Sequence, residues 1–202
     1  MAAECCGTSR IVGCRFSLYP MCDHFVEVIL DTLQEVDTSK VWMMTDDVST
    51  CIRGRAEHVF DVAKAMFVLA ADRGIHVVWN GTFSVGCPGD SQQDAYLEVD
   101  DVRLNEPKLA DRSVPAAAQF ALYPLGTADY MSVIYDQVEH CKELGTYTKG
   151  IHYATRLDGD ARHVFKSLEE SFARAQESGA SHVVMTAAVS ANSPSRQNQE
   201  AK

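Results

Sequence analysis

Arg15-Phe16-Ser17-Leu18-Tyr19-Pro20-Met21 returns later in the chain as Gln119-Phe120-Ala121-Leu122-Tyr123-Pro124-Leu125. The correspondence continues outward from both copies. Asp23-His24-Phe25-Val26-Glu27-Val28-Ile29 matches Ala128-Asp129-Tyr130-Met131-Ser132-Val133-Ile134, and Gly54-Arg55-Ala56-Glu57-His58-Val59-Phe60 matches Gly159-Asp160-Ala161-Arg162-His163-Val164-Phe165. His76, Val77, Val78 and Ser84 match His182, Val183, Val184 and Ser190, and Pro88 matches Pro194. The offset shifts by one residue at two places, near Cys22 and near Gly74. Agreement over so long a segment marks two copies of one unit. The period is about twice that of solenoid repeats, so each copy predicts a small domain with its own core.

A chain of 202 residues has room for one large domain or two of about a hundred residues each. The repeat selects two units, residues 1–88 and 116–202, joined by a connecting segment over 89–115. The formal net charge of −10 argues against nucleic acid, whose phosphates would be repelled, and suits a neutral or cationic small ligand. Seven cysteines form neither C-x-x-C pairs nor a framework shared by the copies, so free thiols in a reducing cytoplasm are expected. Nothing at the N-terminus reads as a secretory signal, and no apolar run is long enough to span a membrane.

Within the first copy, Val12, Cys14, Phe16 and Leu18 alternate with Gly13, Arg15, Ser17 and Tyr19, predicting a strand over 11–19. A helix over Asp23–Val36 follows, with Phe25, Val28, Ile29, Leu33 and Val36 forming an apolar stripe that points to core packing. Two short strands, Val41–Met44 and Val48–Ile52, meet at the polar turn Thr45-Asp46-Asp47. A second helix over Ala56–Asp72 ends near Gly74. Asn80-Gly81 within Ile75–Val85 is a hairpin signal. The second copy has Thr186-Ala187 there, without turn chemistry, so one continuous strand is expected, with Gly81 marking a bulge or a close approach. Strand, helix, strand, strand, helix, strand is the split βαβ, ferredoxin-like order. The expectation is therefore an α+β protein of tandem ferredoxin-like βαββαβ repeats, each an antiparallel sheet with helices on one face. The connecting segment should hold local ordered structure, because long structureless loops are uncommon in compact proteins. Ser193–Lys202 reads as a loose polar tail.

Strand alternation assigns residues to the face without helices. The first copy offers Ser17, Tyr19, Ser49, Cys51, Arg53, Asn80, Thr82 and Ser84 there, and the second Ala121, Tyr123, Ala154, Arg156, Thr186, Ala188 and Ser190. Tyrosine supplies a stacking surface, while hydroxyls and an amide donate and accept around the edge of a neutral heteroaromatic ring. A polar sheet face that is simply solvated, or packs wetly, explains the same pattern. Ser17, Tyr19, Ser49, Arg53, Asn80, Thr82, Ser84, Tyr123, Arg156, Thr186 and Ser190 are the candidate ligand-binding residues. The copies differ at Ser17 against Ala121, Asn80 against Thr186, and Ser49 against Ala154, which predicts unequal sites.

No catalytic constellation stands out. His58 with His163, and His76 with His182, sit at matched helix and strand starts that do not converge, and His152 is unmatched, so structural roles are expected. Cys87 lacks a duplicated base at fixed spacing, and the glycines near the joint do not open a helix as a phosphate loop requires. Asp90, Asp94, Glu98, Asp100 and Asp101 form an acidic run that fits a solvated loop better than a metal site. No enzyme activity, metal or cofactor is predicted.

The runs Cys6–Ile11, Arg15–Pro20, Asn80–Asp90 and Ser190–Arg196 resemble the YkoF family, over nearly the whole chain. The resemblance implies tandem ferredoxin-like (ACT-like) units with a ligand site in each. It implies non-enzymatic binding of thiamine through its hydroxymethylpyrimidine moiety, in a homodimer. It also implies a place in uptake or salvage of thiamine precursors beside a membrane transporter. Cys14, Cys22 and Cys51 depart from the family pattern, and Cys51 faces the proposed pocket. The competing functions are an ACT-like regulatory sensor of another small metabolite and an enzyme acting on the pyrimidine.

Overall fold

The computed structural model describes residues 11–86 and 95–195. The first repeat runs β1 Val12–Pro20, α1 Phe25–Glu35, β2 Trp42–Thr45, β3 Thr50–Gly54, α2 Ala56–Ala71 and β4 Val77–Val85. A one-turn 3-10 helix at Ala95–Leu97 and a short helix α3, Glu106–Leu109, belong to the connecting segment. The second repeat runs β5 Pro115–Leu125, α4 Tyr130–Glu143, β6 Tyr147–Ile151, β7 Ala154–Asp160, α5 Ala161–Glu177 and β8 His182–Ala191. Both repeats thus have the predicted order. Runs Cys6–Ile11, Asn80–Asp90 and Ser190–Arg196 lie partly outside the described residues, as do Cys87, Asp90 and Asp94, and residues 196–202 of the expected tail.

The two four-stranded sheets are one. β4 pairs antiparallel with β8 along its whole length, giving an eight-stranded sheet of order β2-β3-β1-β4-β8-β5-β7-β6. Gly81 pairs with Ala187, its own repeat equivalent, so a local two-fold axis passes between them. Two equivalent hydrogen bonds brace this seam: Nε2 of His76 to Oγ of Ser190 at 3.2 Å, and Nε2 of His182 to Oγ of Ser84 at 2.8 Å. The matched strand-start histidines are structural. His58 is also buried, with Nε2 2.6 Å from the Asp100 carbonyl, whereas His163 is exposed.

All helices lie on one side, and the buried apolar residues of both repeats form one cluster. Phe60 stacks on Phe83 at 4.1 Å between ring centroids and meets Phe172 of the other repeat at 5.9 Å. The Trp79 indole meets Phe165 edge-on at 5.6 Å. Aromatic pairs at these separations add to the stabilisation from area burial alone. The connecting segment is tied to this helical side. Buried Asn105 donates from Nδ2 to the Asp37 carbonyl and to Oδ2 of Asp61, and Arg103 grips Glu169 with both terminal nitrogens.

Two expectations shift. Val48 and Ser49 are not in a strand, because Oδ1 of Asp46 accepts from both of their backbone N–H groups and draws Asp46–Ser49 into the turn. Phe25, which heads the apolar stripe of the first helix, is about half exposed at 49%, as is its repeat equivalent Tyr130 at 51%. Each lines an open cleft beside its repeat's first strand.

β4 is continuous through Asn80-Gly81, without a bulge. The close approach is internal: a Cβ on Gly81 would fall inside the indole of Trp79, which shares its face of the strand. The second repeat has Met185 and Ala187 at the two equivalent positions, a smaller side chain beside a methyl. Gly81→Ala is therefore expected to cost about 1–3 kcal/mol by overpacking. In a Trp79→Met background the same substitution should cost under about 0.5 kcal/mol, a coupling that urea denaturation of the four proteins measures.

Candidate functional site

The helix-free face carries a cavity of about 470 Å³ centred on the seam, and a repeat-related pair of clefts flanks it. The clefts follow from strand lengths. β3 pairs with β1 only over Val12–Phe16, and β7 pairs with β5 only over Pro115–Phe120. Beyond those points Ser17–Pro20 and Ala121–Leu125 remain paired on their inner side, to β4 and β8, and have no strand along the outer edge. Each gap is closed on one side by the hairpin turn and on the other by the first helix of the repeat. The first cleft, of about 460 Å³, has Phe25, Ile29 and Leu33 on its helical wall and Thr45–Thr50 on its turn wall. The second, of about 670 Å³, has Tyr130, Ile134 and Val138 at the equivalent helical positions, with Tyr153–Thr155 opposite. Volumes in this range suit a small heteroaromatic molecule.

Such a cleft has a definite chemistry. An unpaired strand edge presents backbone N–H donors and C=O acceptors in alternation, the property that lets other chains add to sheets. Here the edge lies at the bottom of a recess with apolar and aromatic walls, so a planar ring with an adjacent donor and acceptor can satisfy it while its faces are covered.

The candidate residues separate by position. Ser17, Ser49, Asn80, Thr82, Tyr123 and Thr186 all line the central cavity. Ser17 and Ser49 also line the first cleft, where Tyr19 joins them, and Tyr123 also lines the second, so the cavity and both clefts share walls. Arg53, Ser84, Arg156 and Ser190 line none of the three. Arg53 lies over the Trp42 ring at 5.9 Å, and Arg156 holds Asp158 through two hydrogen bonds of 2.8 Å. Ser84 and Ser190 serve the histidines of the seam. The candidate set left out Arg15 and Gln119, which lie two residues before Ser17 and Ala121 on the same face of their strands and line the central cavity, and His152 and Tyr153 at the second hairpin tip. It also missed the helical walls; their signal was the aromatic pair Phe25 and Tyr130 at equivalent positions.

The equivalent positions Ser17 and Ala121 give the clefts different rims. Oγ of Ser17 donates to the Val48 carbonyl at 3.1 Å and ties the first turn to β1. Ala121 can make no such bond, and the second cleft is the larger. The first turn is further held by Arg15, whose guanidinium donates to Asp46 and to Ser49, each at 2.9 Å. Among the described residues no three His, Cys, Asp or Glu side chains converge to hold a metal, and no helix is long and apolar enough to cross a membrane.

The family model described as "YKOF-related Family" matches twice, over residues 11–90 and 115–196. The chain belongs to this family. Its two matches coincide with the two structural repeats. The chain is also 52% identical, over 96% of its length and 97% of the other's, to a Bacillus subtilis (strain 168) protein named "Putative HMP/thiamine-binding protein YkoF".

The Asp46 carboxyl is lowered to about 2, first by the Arg15 hydrogen bond and then by the Ser49 and Val48 backbone N–H groups. Because the folded-state value lies below the ordinary one, the turn should stay tied above about pH 4 and loosen only as pH falls through about 2. Carboxyl carbon NMR titration should find that low midpoint. Arg15→Met should raise it part of the way back, since the two backbone donors remain.

Proposed function

We propose that this chain binds thiamine through its hydroxymethylpyrimidine moiety, one molecule per repeat, in the two lateral clefts. The observation that carries the reading is the pair of unpaired strand edges, Ser17–Pro20 and Ala121–Leu125, each set in an aromatic-walled cleft at an equivalent place in its repeat. An aminopyrimidine carries an amino donor beside a ring-nitrogen acceptor, the complement of a peptide edge. Its faces would lie between the helical wall, Phe25 or Tyr130, and the sheet side, with Tyr19 or Tyr123 at the rim. Ser17 and Ser49 add hydroxyls in the first cleft. The binding function in the name of the relative, and its match over nearly the whole chain, support the same ligand class.

Binding without turnover belongs to the same proposal, since the clefts need only hold the ring. We further propose a cytoplasmic homodimer that covers the helix-free sheet face and serves uptake or salvage of thiamine precursors alongside a transporter. That face extends over eight strands, and among the described residues no helix packs on it. Sedimentation at micromolar concentration is expected to give the dimer mass, and a monomer would remove this part of the reading.

Isothermal titration with thiamine and with free hydroxymethylpyrimidine should resolve two unequal events. Ser17→Ala removes a hydroxyl from the first cleft, and a lost buried hydrogen bond costs about 0.5–1.5 kcal/mol. The tighter event should weaken by about two- to tenfold, and the reciprocal Ala121→Ser should strengthen the weaker one. Absence of saturable binding to both ligands would overturn the reading.

A further inference from the structure

The two clefts share a backbone edge and an apolar helical wall, but they do not share a charge. The lining of the first includes Asp46 and Asp47. The carboxylate of Asp46 is matched by Arg15 at 2.9 Å. Asp47 is exposed and has no ion pair among the described residues, so its charge is uncompensated at the mouth of the cleft. The described lining of the second cleft contains no aspartate, glutamate, lysine, arginine or histidine. At the offset that aligns Ser49 with Ala154, the position of Asp47 is taken by His152, an exposed residue that brings no carboxylate.

Aromatic attraction for a cation does not erase this difference. The first cleft has Phe16, Tyr19 and Phe25, and the second has Phe120, Tyr123 and Tyr130 at the equivalent positions. A cation–π contribution is therefore open to both clefts, and the carboxylate is what remains in the comparison.

Resting on the proposed pyrimidine binding, we infer that the clefts select ligands by charge. The first prefers a pyrimidine joined to a cationic group, such as the thiazolium of intact thiamine, and Asp47 is the residue that sets the preference. The second takes the neutral free pyrimidine as readily as the cation. One chain would then sample two chemical forms of the same ring: the joined cation and the free pyrimidine alcohol.

The preference is electrostatic and exposed, so it is modest and salt-sensitive. Titrations of the full chain with thiamine and with hydroxymethylpyrimidine, at low salt and at about 0.3 M salt, read it directly. Met21→Trp, which fills the first cleft from an exposed position, and Leu125→Trp, its equivalent in the second, assign each event to a cleft. In the first cleft the thiamine constant should fall by about threefold on Asp47→Asn at low salt, with the pyrimidine constant unchanged. The double exchange Asp47→His with His152→Asp, both at exposed turn positions, should move the preference and its salt dependence to the second cleft.

Binding at both clefts with equal salt dependence, and no response to Asp47→Asn or to the exchange, would overturn the charge selection while leaving pyrimidine binding in place. Absence of binding by either compound to the wild-type chain would overturn both.

Discussion

The antiparallel ladder between β4 and β8 is the interaction on which the rest depends. Each repeat alone would leave one of these long strands as an open edge with a row of unpaired donors and acceptors, and both are buried by pairing with each other. The ladder places helices α2 and α5 side by side and lets the aromatic side chains of the repeats interlock beneath the seam. It also points β2–β3 and β6–β7 to the two far ends of the sheet, which sets the lateral clefts on opposite sides of the two-fold axis.

Much of this architecture was legible as periodicity. Alternation in Val12–Leu18 and the spacing Val28, Ile29, Leu33 identify a strand and a helix, and the duplicated copy settled the one ambiguous segment, Asn80-Gly81. Local patterns could not supply the pairing register. That β1 outlasts β3 by four residues is decided by where the Asp46 turn ends the hairpin, through two hydrogen bonds from the Val48 and Ser49 backbone N–H groups to the Asp46 carboxylate. The same limit explains the candidate residues. Alternation gives a face but not a neighbourhood: it does not reveal that the Arg156 guanidinium is held by Asp158, two residues away. Ser84 and Ser190 look like free hydroxyls until the strands are brought together and each meets a histidine of the other repeat.

Duplication followed by divergence accounts for the small inequalities. Where one copy has Trp79 over Gly81, the other has Met185 beside Ala187, so each seam strand packs at its own volume without disturbing the ladder. Where one copy has Ser17, Ser49 and Asp47, the other has Ala121, Ala154 and His152. These positions lie on turns and rims, where substitutions cost little stability because few buried contacts depend on them. The conserved frame of the seam leaves such positions free to differ.

The seam also imposes an order in time. Roughly a hundred residues separate the end of β4 from the start of β8. At synthesis rates of about 5–20 residues per second, the outer edge of β4 emerges from the ribosome some 5–20 s before its partner exists. Asn192, just past β8, is later still. Its side-chain amide donates to the Ala71 and Ile75 carbonyls, so the end of α2 is sealed only after the last strand of the second repeat has been made. In that interval the nascent first half presents an open, apolar strand edge, and neighbouring nascent chains on one messenger present the same edge at the same stage. A fold whose two halves complete each other is, during its manufacture, a template for pairing between strangers.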